Sequence, residues 1–313
     1  MRISILGGGS WGTALAIHLA KNGQEVKIWE FFAEQANKMQ NERFCPLLPE
    51  VKLPEHIYVT SSLEEALKDS EVILVVTPSD KVELTINNAA QYIDNQIIII
   101  GSKGFASGTR LLTDALRPLV KGELYCLYGP THAEEVCKGL FTGIVLAGPK
   151  NDALKAAFNS PTLKVETTED LIGVQVAAAL KNVLAIYVGV LHGMELGDNA
   201  KAFIMTDGLA EITKVGVAMG ADPLTFLGLA GIGDIIVTCT SEHSRNRFVG
   251  EQVGKGRHLD EVLTEMKMIA EGVTTVKEAQ GLIEKYNLHL PLITGLYSIL
   301  FNNTDPREIL ANY

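Results

Sequence analysis

A Rossmann-type α/β domain with a doubly wound parallel sheet, followed by an all-α domain, is the architecture expected of these 313 residues. Three observations carry that expectation. The chain opens on a strand, a G-x-G-x-x-G turn and a helix; its first half alternates short β-branched runs with helical patterns; and after about residue 170 strand signals stop.

The first strand is expected over 2–6, and Gly7, Gly9 and Gly12 follow it directly, opening a helix over 11–22 closed by Gly23. In that context Gly7 permits the tight turn, Gly9 lets the backbone approach a pyrophosphate, and Gly12 lets helix and strand pack closely. The helix N-terminus adds amide donors and a partial positive charge. A second strand over 25–29 ends beside Glu30, which is placed to hydrogen-bond the adenosine ribose hydroxyls and to repel a 2′-phosphate. That favours NAD(H), with NADP(H) as the second candidate. The bland alternative at Glu30 is a solvated surface glutamate.

Further strands are expected over 57–60, 72–77, 97–100, 124–127 and 143–147. Runs such as VILVVT and IIII are apolar without alternation, as suits strands covered on both faces. Ser62 and Glu65 form a capping-box pattern before a short helix. Residues 41–56, carrying Pro46, Pro49 and Pro54, read as a long irregular connection. The domain boundary is placed in KVETTEDLIG, giving a dinucleotide-binding domain over 1–168 and a helical substrate and catalytic domain over 169–313.

In the second half, the segment from about 171 to 191 approaches a membrane span in length, but Lys181 stands in its middle. A central lysine costs about 3 kcal/mol in a lipid-facing helix, so a buried core helix is expected. Other helices are expected over 199–219, 259–266, 271–286 and 291–301. Burying an ammonium is costly and lowers its pKa, so Lys181 is a candidate general acid or base, the alternative being a lysine that snorkels to the surface or makes a buried ion pair. His192 and His132 compete for that role. Asp234, in GLAGIGDIIVTC, is the natural partner of a buried lysine, and Ser244-Arg245-Asn246 combines a forked cation with hydroxyl and amide donors suited to a phosphate.

Composition narrows the classes. Hydrophobic residues make up 47% and charged residues 20%, and the formal net charge is −10, which argues against nucleic acid or an anionic membrane as the main partner. Cys45, Cys126, Cys137 and Cys239 show no metal or disulfide spacing, so no metal is expected, and a reducing cytoplasm fits. No secretory signal is read at the start.

Seven pieces in order resemble the NAD(P)-dependent glycerol-3-phosphate dehydrogenase family of bacterial type: GGGSWGTALA at 7–16, SKG at 102–104, GPTHAEEV at 129–136, ALKNV at 179–183, GIGDIIVTC at 231–239, SRNR at 244–247 and AEGV at 270–273. The resemblance implies a Rossmann domain followed by a helical domain like that of 6-phosphogluconate dehydrogenase. It implies reversible reduction of dihydroxyacetone phosphate to sn-glycerol 3-phosphate, feeding glycerophospholipid synthesis, in a cytoplasmic homodimer without stable membrane insertion.

Position by position, it implies that Ser10, Trp11, Lys103, Ala133, Arg245, Ile269 and Glu271 contact the cofactor. Lys103, Gly129, Thr131, Lys181, Asn182, Asp234, Ser244, Arg245 and Asn246 would hold the substrate. Lys181 is then the proton donor and acceptor, supported by Asp234 and Lys103. Two positions depart from the family pattern: GP-Thr131-His132-A replaces GP-Ser-Phe-A, and Ala106 stands where many members carry an acid. Both bear on the finer shape of the substrate pocket. A β-hydroxyacid dehydrogenase of related fold, which also carries a lysine on its central helix, is the enzymatic alternative. A non-catalytic NAD-sensing scaffold is expected to have lost Lys181 or Arg245, and this chain keeps both.

Overall fold

The computed structural model describes residues 1–241, 244–266 and 270–311. They form two units, one built from Met1–Ala106 with Arg110–Leu171, the other from Ser107–Thr109 with Ile172–Tyr313.

The first unit holds ten strands: β1 (Arg2–Leu6), β2 (Glu25–Trp29), β3 (Phe44–Cys45), β4 (Leu48–Lys52), β5 (Tyr58–Thr60), β6 (Val72–Val75), β7 (Ile97–Ile100), β8 (Leu124–Tyr128), β9 (Thr142–Ala147) and β10 (Leu163–Thr168). Eight of them make one sheet in the order β10-β9-β8-β7-β6-β1-β2-β5. From β5 to β8 every pairing is parallel. The chain leaves β1 toward β2 and β5 on one side, then returns to build β6, β7 and β8 on the other. The order therefore reverses between β1 and β6, where open α/β sheets bind ligands. Strands β1, β6 and β7 are almost wholly buried, as their unbroken apolar runs require.

Four features differ from the pattern expected of the sequence. Strand β9 runs antiparallel to β8, because its connection holds only the six-residue helix Ala133–Lys138 and returns along the same sheet edge. Strand β10 pairs parallel with β9 at the sheet edge; Leu163 and Val165 face inward while Lys164 and Glu166 face water. Residues 41–56 contain the β3–β4 hairpin, anchored by buried Arg43, whose guanidinium donates to the carbonyls of Pro54 and Ile57. Ser62 does cap its helix, accepting from the Glu65 N–H at 3.3 Å, but the Glu65 carboxylate turns to Tyr58 and Thr60 instead of closing the box.

In the second unit the helix Leu171–Gly193 is buried from Gly173 to Leu191. Glycines let its backbone meet that of helix Arg245–Gly254: a Cβ on Gly250 would lie 1.9 Å from the Ile186 carbonyl, and one on Gly189 2.1 Å from that of Arg247. Helix Gly197–Met219 contributes buried Glu211, which accepts from the Leu292 and Ile293 N–H groups and caps helix Pro291–Phe301. Helices Asp234–Thr240, Leu259–Glu265, Glu271–Tyr286 and Pro306–Ala311 complete the unit.

Candidate active site

In the first unit, Gly7 follows β1 with φ of +125°, a conformation open to glycine and strained for side chains. A Cβ on Gly12 would stand 2.0 Å from the Gly7 carbonyl, so the helix Ser10–Lys21 packs onto the turn only because that position is bare. A Cβ on Gly9 would meet nothing within 4 Å, and the helix begins there without a side-chain cap. Open space over uncapped N–H groups is what a pyrophosphate requires, and the Trp11 indole N–H is buried without a hydrogen-bond partner among the described residues. The turn fits a dinucleotide.

Glu30 is 6% exposed, and its carboxylate bridges two turns. It accepts from the Phe32 N–H at 3.0 Å and from the Gly8 backbone. Burial raises its pKa above the usual carboxylate range, and those two N–H groups oppose the shift. Beside it Phe31 and Phe32 stand 67% and 64% exposed, edge to face at 5.1 Å. This aromatic pair was not singled out from the sequence, where EFF after a strand reads as ordinary apolar residues; only its exposure distinguishes it.

Lys103 and Thr131 converge on one acceptor, the Gly129 carbonyl, each at 3.1 Å. Gly129 has φ of +153° and would crowd the β9 backbone at 3.1 Å if it carried a Cβ. Ala133 is buried at the start of its helix, and His132 occupies the N-cap position without a side-chain capping bond.

In the second unit Lys181 is 6% exposed and Asp234 1%. The Lys181 ammonium donates to Asp234 Oδ1 and, at 2.8 Å, to Thr238 Oγ1; Thr238 lies 3.4 Å from the same carboxylate oxygen. An ammonium so deep in the protein needs compensation, and the Asp234 charge and the Thr238 hydroxyl supply it. Thr238 is a site residue the sequence did not announce: a helical threonine is unremarkable until Asp234, one turn earlier on the same helix, is known to bind the lysine. Cys239 adjoins this cluster, but burial pushes its thiol up to about 12, which keeps it neutral and inert. His192 sits eleven residues after Lys181, about 16 Å along the helix axis, with its Nε2 3.8 Å from Glu251. It is not placed to share the proton.

Ser244 caps helix Arg245–Gly254, accepting from the Arg247 N–H at 3.3 Å, and Arg245 is exposed at the first turn. Asn246 Oδ1 accepts from the Gly272 N–H at 3.0 Å. A Cβ on Gly272 would lie 2.7 Å from that oxygen and 3.0 Å from the Asn182 carbonyl. Asn182, Asn246 and the start of helix Glu271–Tyr286 thus meet at one point. Glu271 opens that helix, while Ile269 lies outside the described residues. Among the described residues no cluster of three or more His, Cys, Asp or Glu could hold a metal ion.

Comparison with known proteins gives the family. The family models of the NAD-dependent glycerol-3-phosphate dehydrogenase N-terminus and C-terminus match residues 2–154 and 170–311. A glycerol-3-phosphate dehydrogenase [NAD(P)+] of Enterococcus faecalis is 43% identical, covering 98% of this chain and 93% of the relative. One of Thermoanaerobacter is 39% identical, covering 98% and 95%. The crystal structure of glycerol-3-phosphate dehydrogenase from Coxiella burnetii, 33% identical, matches with a TM-score of 0.94 over 99% of this chain and 98% of that one. The chain belongs to the NAD-dependent glycerol-3-phosphate dehydrogenase family.

Proposed function

We propose that the protein reversibly reduces dihydroxyacetone phosphate to sn-glycerol 3-phosphate, with NADH as its preferred cofactor and the product directed to glycerophospholipid synthesis. The observation that carries this reading is the buried Lys181–Asp234–Thr238 cluster, a proton donor held at one atom and screened from water. Residues 1–168 bind the dinucleotide on the Gly7, Gly9 and Gly12 turn, with Ser10, Trp11, Lys103, Ala133, Arg245, Ile269 and Glu271 as further contacts. Glu30 takes the adenosine ribose, and the exposed Phe31–Phe32 pair offers the adenine a stacking surface.

When bound, the nicotinamide supplies the hydride. Lys181 Nζ donates the proton that the developing alkoxide on the substrate carbon requires, and in the reverse direction takes it from the hydroxyl. Asp234 and Thr238 hold the ammonium in that orientation. Lys103 and Asn182, with Gly129 and Thr131, position the ketone, while Ser244, Arg245 and Asn246 grip the phosphate away from the reacting carbon. Binding energy from the phosphate is thereby turned to alignment. The burial of Leu171–Gly193, among the described residues the one helix long and apolar enough to cross a membrane, supports placing the enzyme in the cytoplasm; that it works as a homodimer belongs to the same proposal.

The test compares NADH oxidation with dihydroxyacetone phosphate, unphosphorylated dihydroxyacetone and 3-oxo acids, with wild type beside Arg245→Ala. Rapid oxidation that needs the phosphate, and a raised KM for it in the variant, is the expected result. Oxidation only with 3-oxo acids would move the assignment to the β-hydroxyacid dehydrogenases.

A further inference from the structure

The carboxyl ends of β1, β6 and β7 converge on a second orphaned polar atom that the proposed machinery does not use. Thr77 lies just past β6, and its Oγ1 is buried with no hydrogen-bond partner among the described residues. Its main chain is fixed: the Thr77 carbonyl accepts from Ser102 Oγ at 2.5 Å, and Ser102 in turn accepts from Tyr128 Oη at 2.8 Å. Its neighbour across the sheet is the phosphate turn itself. A Cβ on Gly7 would lie 3.0 Å from the Val76 carbonyl group and 3.2 Å from Thr77 N. The other orphan, Trp11 Nε1, borders the same strand ends, 3.4 Å from where Gly101 would carry a Cβ.

Buried hydroxyls without partners are uncommon, and each costs stability that valine, of nearly the same shape, would not. Thr77 follows β6, the neighbour of β1, at the point where the strand order reverses and where a dinucleotide's phosphates and riboses cross the sheet. We propose that Thr77 is a cofactor-contacting residue, its hydroxyl donating a hydrogen bond to a phosphate or ribose oxygen of the bound dinucleotide. The inference rests on the dinucleotide-binding reading of the first unit and adds a residue to it. The hydroxyl is left unsatisfied in the free protein and is satisfied on binding, so stability of the free form is exchanged for affinity.

The experiment titrates NADH and ADP-ribose into the full-length wild type, Thr77→Val and Thr77→Ser, and records the melting temperature of each protein without cofactor. Thr77→Ser is expected to bind within about threefold of wild type. Thr77→Val is expected to lose about tenfold or more in affinity for both ligands, the worth of one hydrogen bond to a charged acceptor, while its cofactor-free Tm stays level or rises. Affinity within twofold of wild type in Thr77→Val would overturn the proposal. So would a loss accompanied by a lower cofactor-free Tm, which marks a structural role. A loss confined to NADH would move the contact to the nicotinamide ring and equally refute it. A folded wild type that binds neither NADH nor NADPH would overturn the dinucleotide reading itself, and the wild-type arm separates that result from a failure at Thr77.

Discussion

Replacing Lys181 separates the chemistry of the cluster from its contribution to stability. In Lys181→Ala the proton donor is lost, and a positioned general acid is worth about 10²–10⁴ in rate. The carboxylate of Asp234, 1% exposed, then loses the ammonium that balances its charge. Removing one partner of a buried ion pair costs about 3–5 kcal/mol. At about 2–4 °C per kcal/mol for a large domain, Tm should fall by roughly 10 °C. A weak mutant could therefore be merely unstable. The control is Lys181→Met with Asp234→Leu, since an apolar pair of similar volume is neutral or stabilising by about 1–4 kcal/mol. Differential scanning calorimetry should show Tm restored in the double variant. Nicotinamide absorbance with dihydroxyacetone phosphate should show turnover still absent from it. Turnover within about tenfold of wild type in folded Lys181→Ala, or activity regained in the double variant, would refute the assignment of Lys181 as proton donor.

Three other predictions address the remaining parts. Glu30→Ala should weaken NADH about tenfold and narrow its advantage over NADPH, because the buried carboxylate no longer meets the ribose; an unchanged KM ratio would count against that role. Gly12→Ala drives a Cβ to within 2.0 Å of the Gly7 carbonyl, so isothermal titration should find NADH binding lost, and tight binding would contradict the turn's role. Burial, reinforced by the Glu271 charge, raises Glu278 from 4.5 to about 7, so the folded state holds its proton more tightly than the unfolded chain. That contribution is full below pH 4.5 and is lost as pH rises to about 7. It amounts to about 1 kcal/mol after solvent screening, and Glu278→Gln should flatten the stability profile across that window in denaturant titrations.

The parts of this fold legible in the sequence are those where one residue type has a single physical use. Gly7, Gly9 and Gly12 between a strand and a helix leave few alternatives, and a lysine amid a wholly apolar helix demands a counter-charge. Edge and return elements were not legible in the same way. Strand β10 reads as LKVETT, whose alternation is that of a half-solvated edge, whereas the central strands are recognised by unbroken apolar runs. The β3–β4 hairpin hides among prolines because a buried arginine, not a turn motif, anchors it. Strand direction in β9 depends on which sheet edge its connection returns to, and no local signal encodes that. Thr238 and Thr77 escaped for a related reason: a hydroxyl is ordinary in sequence, and becomes informative only once its partners, or its lack of one, are known.

The proposed dinucleotide turn of the first unit and the proposed proton-donor cluster of the second are consequently specified by different forces. The dinucleotide half is steric: bare backbone must approach where a Cβ would lie 2.0 Å from the Gly7 carbonyl, so the binding surface is made of main-chain atoms. The catalytic half is electrostatic, and an electrostatic site gains strength from the exclusion of water. The packing of the helix that carries Lys181 is built from glycine. Gly189, Gly250 and Gly254 each lack the Cβ that would lie within 2.2 Å of a carbonyl on the facing helix, so helix Arg245–Gly254 lies directly against Leu171–Gly193. Asn246, one turn before that contact, is thereby brought to the Gly272 amide near the Asn182 carbonyl, adjacent in sequence to Lys181. Close backbone packing thus fixes the distance from Lys181, the proposed proton donor, to a residue proposed to hold the phosphate.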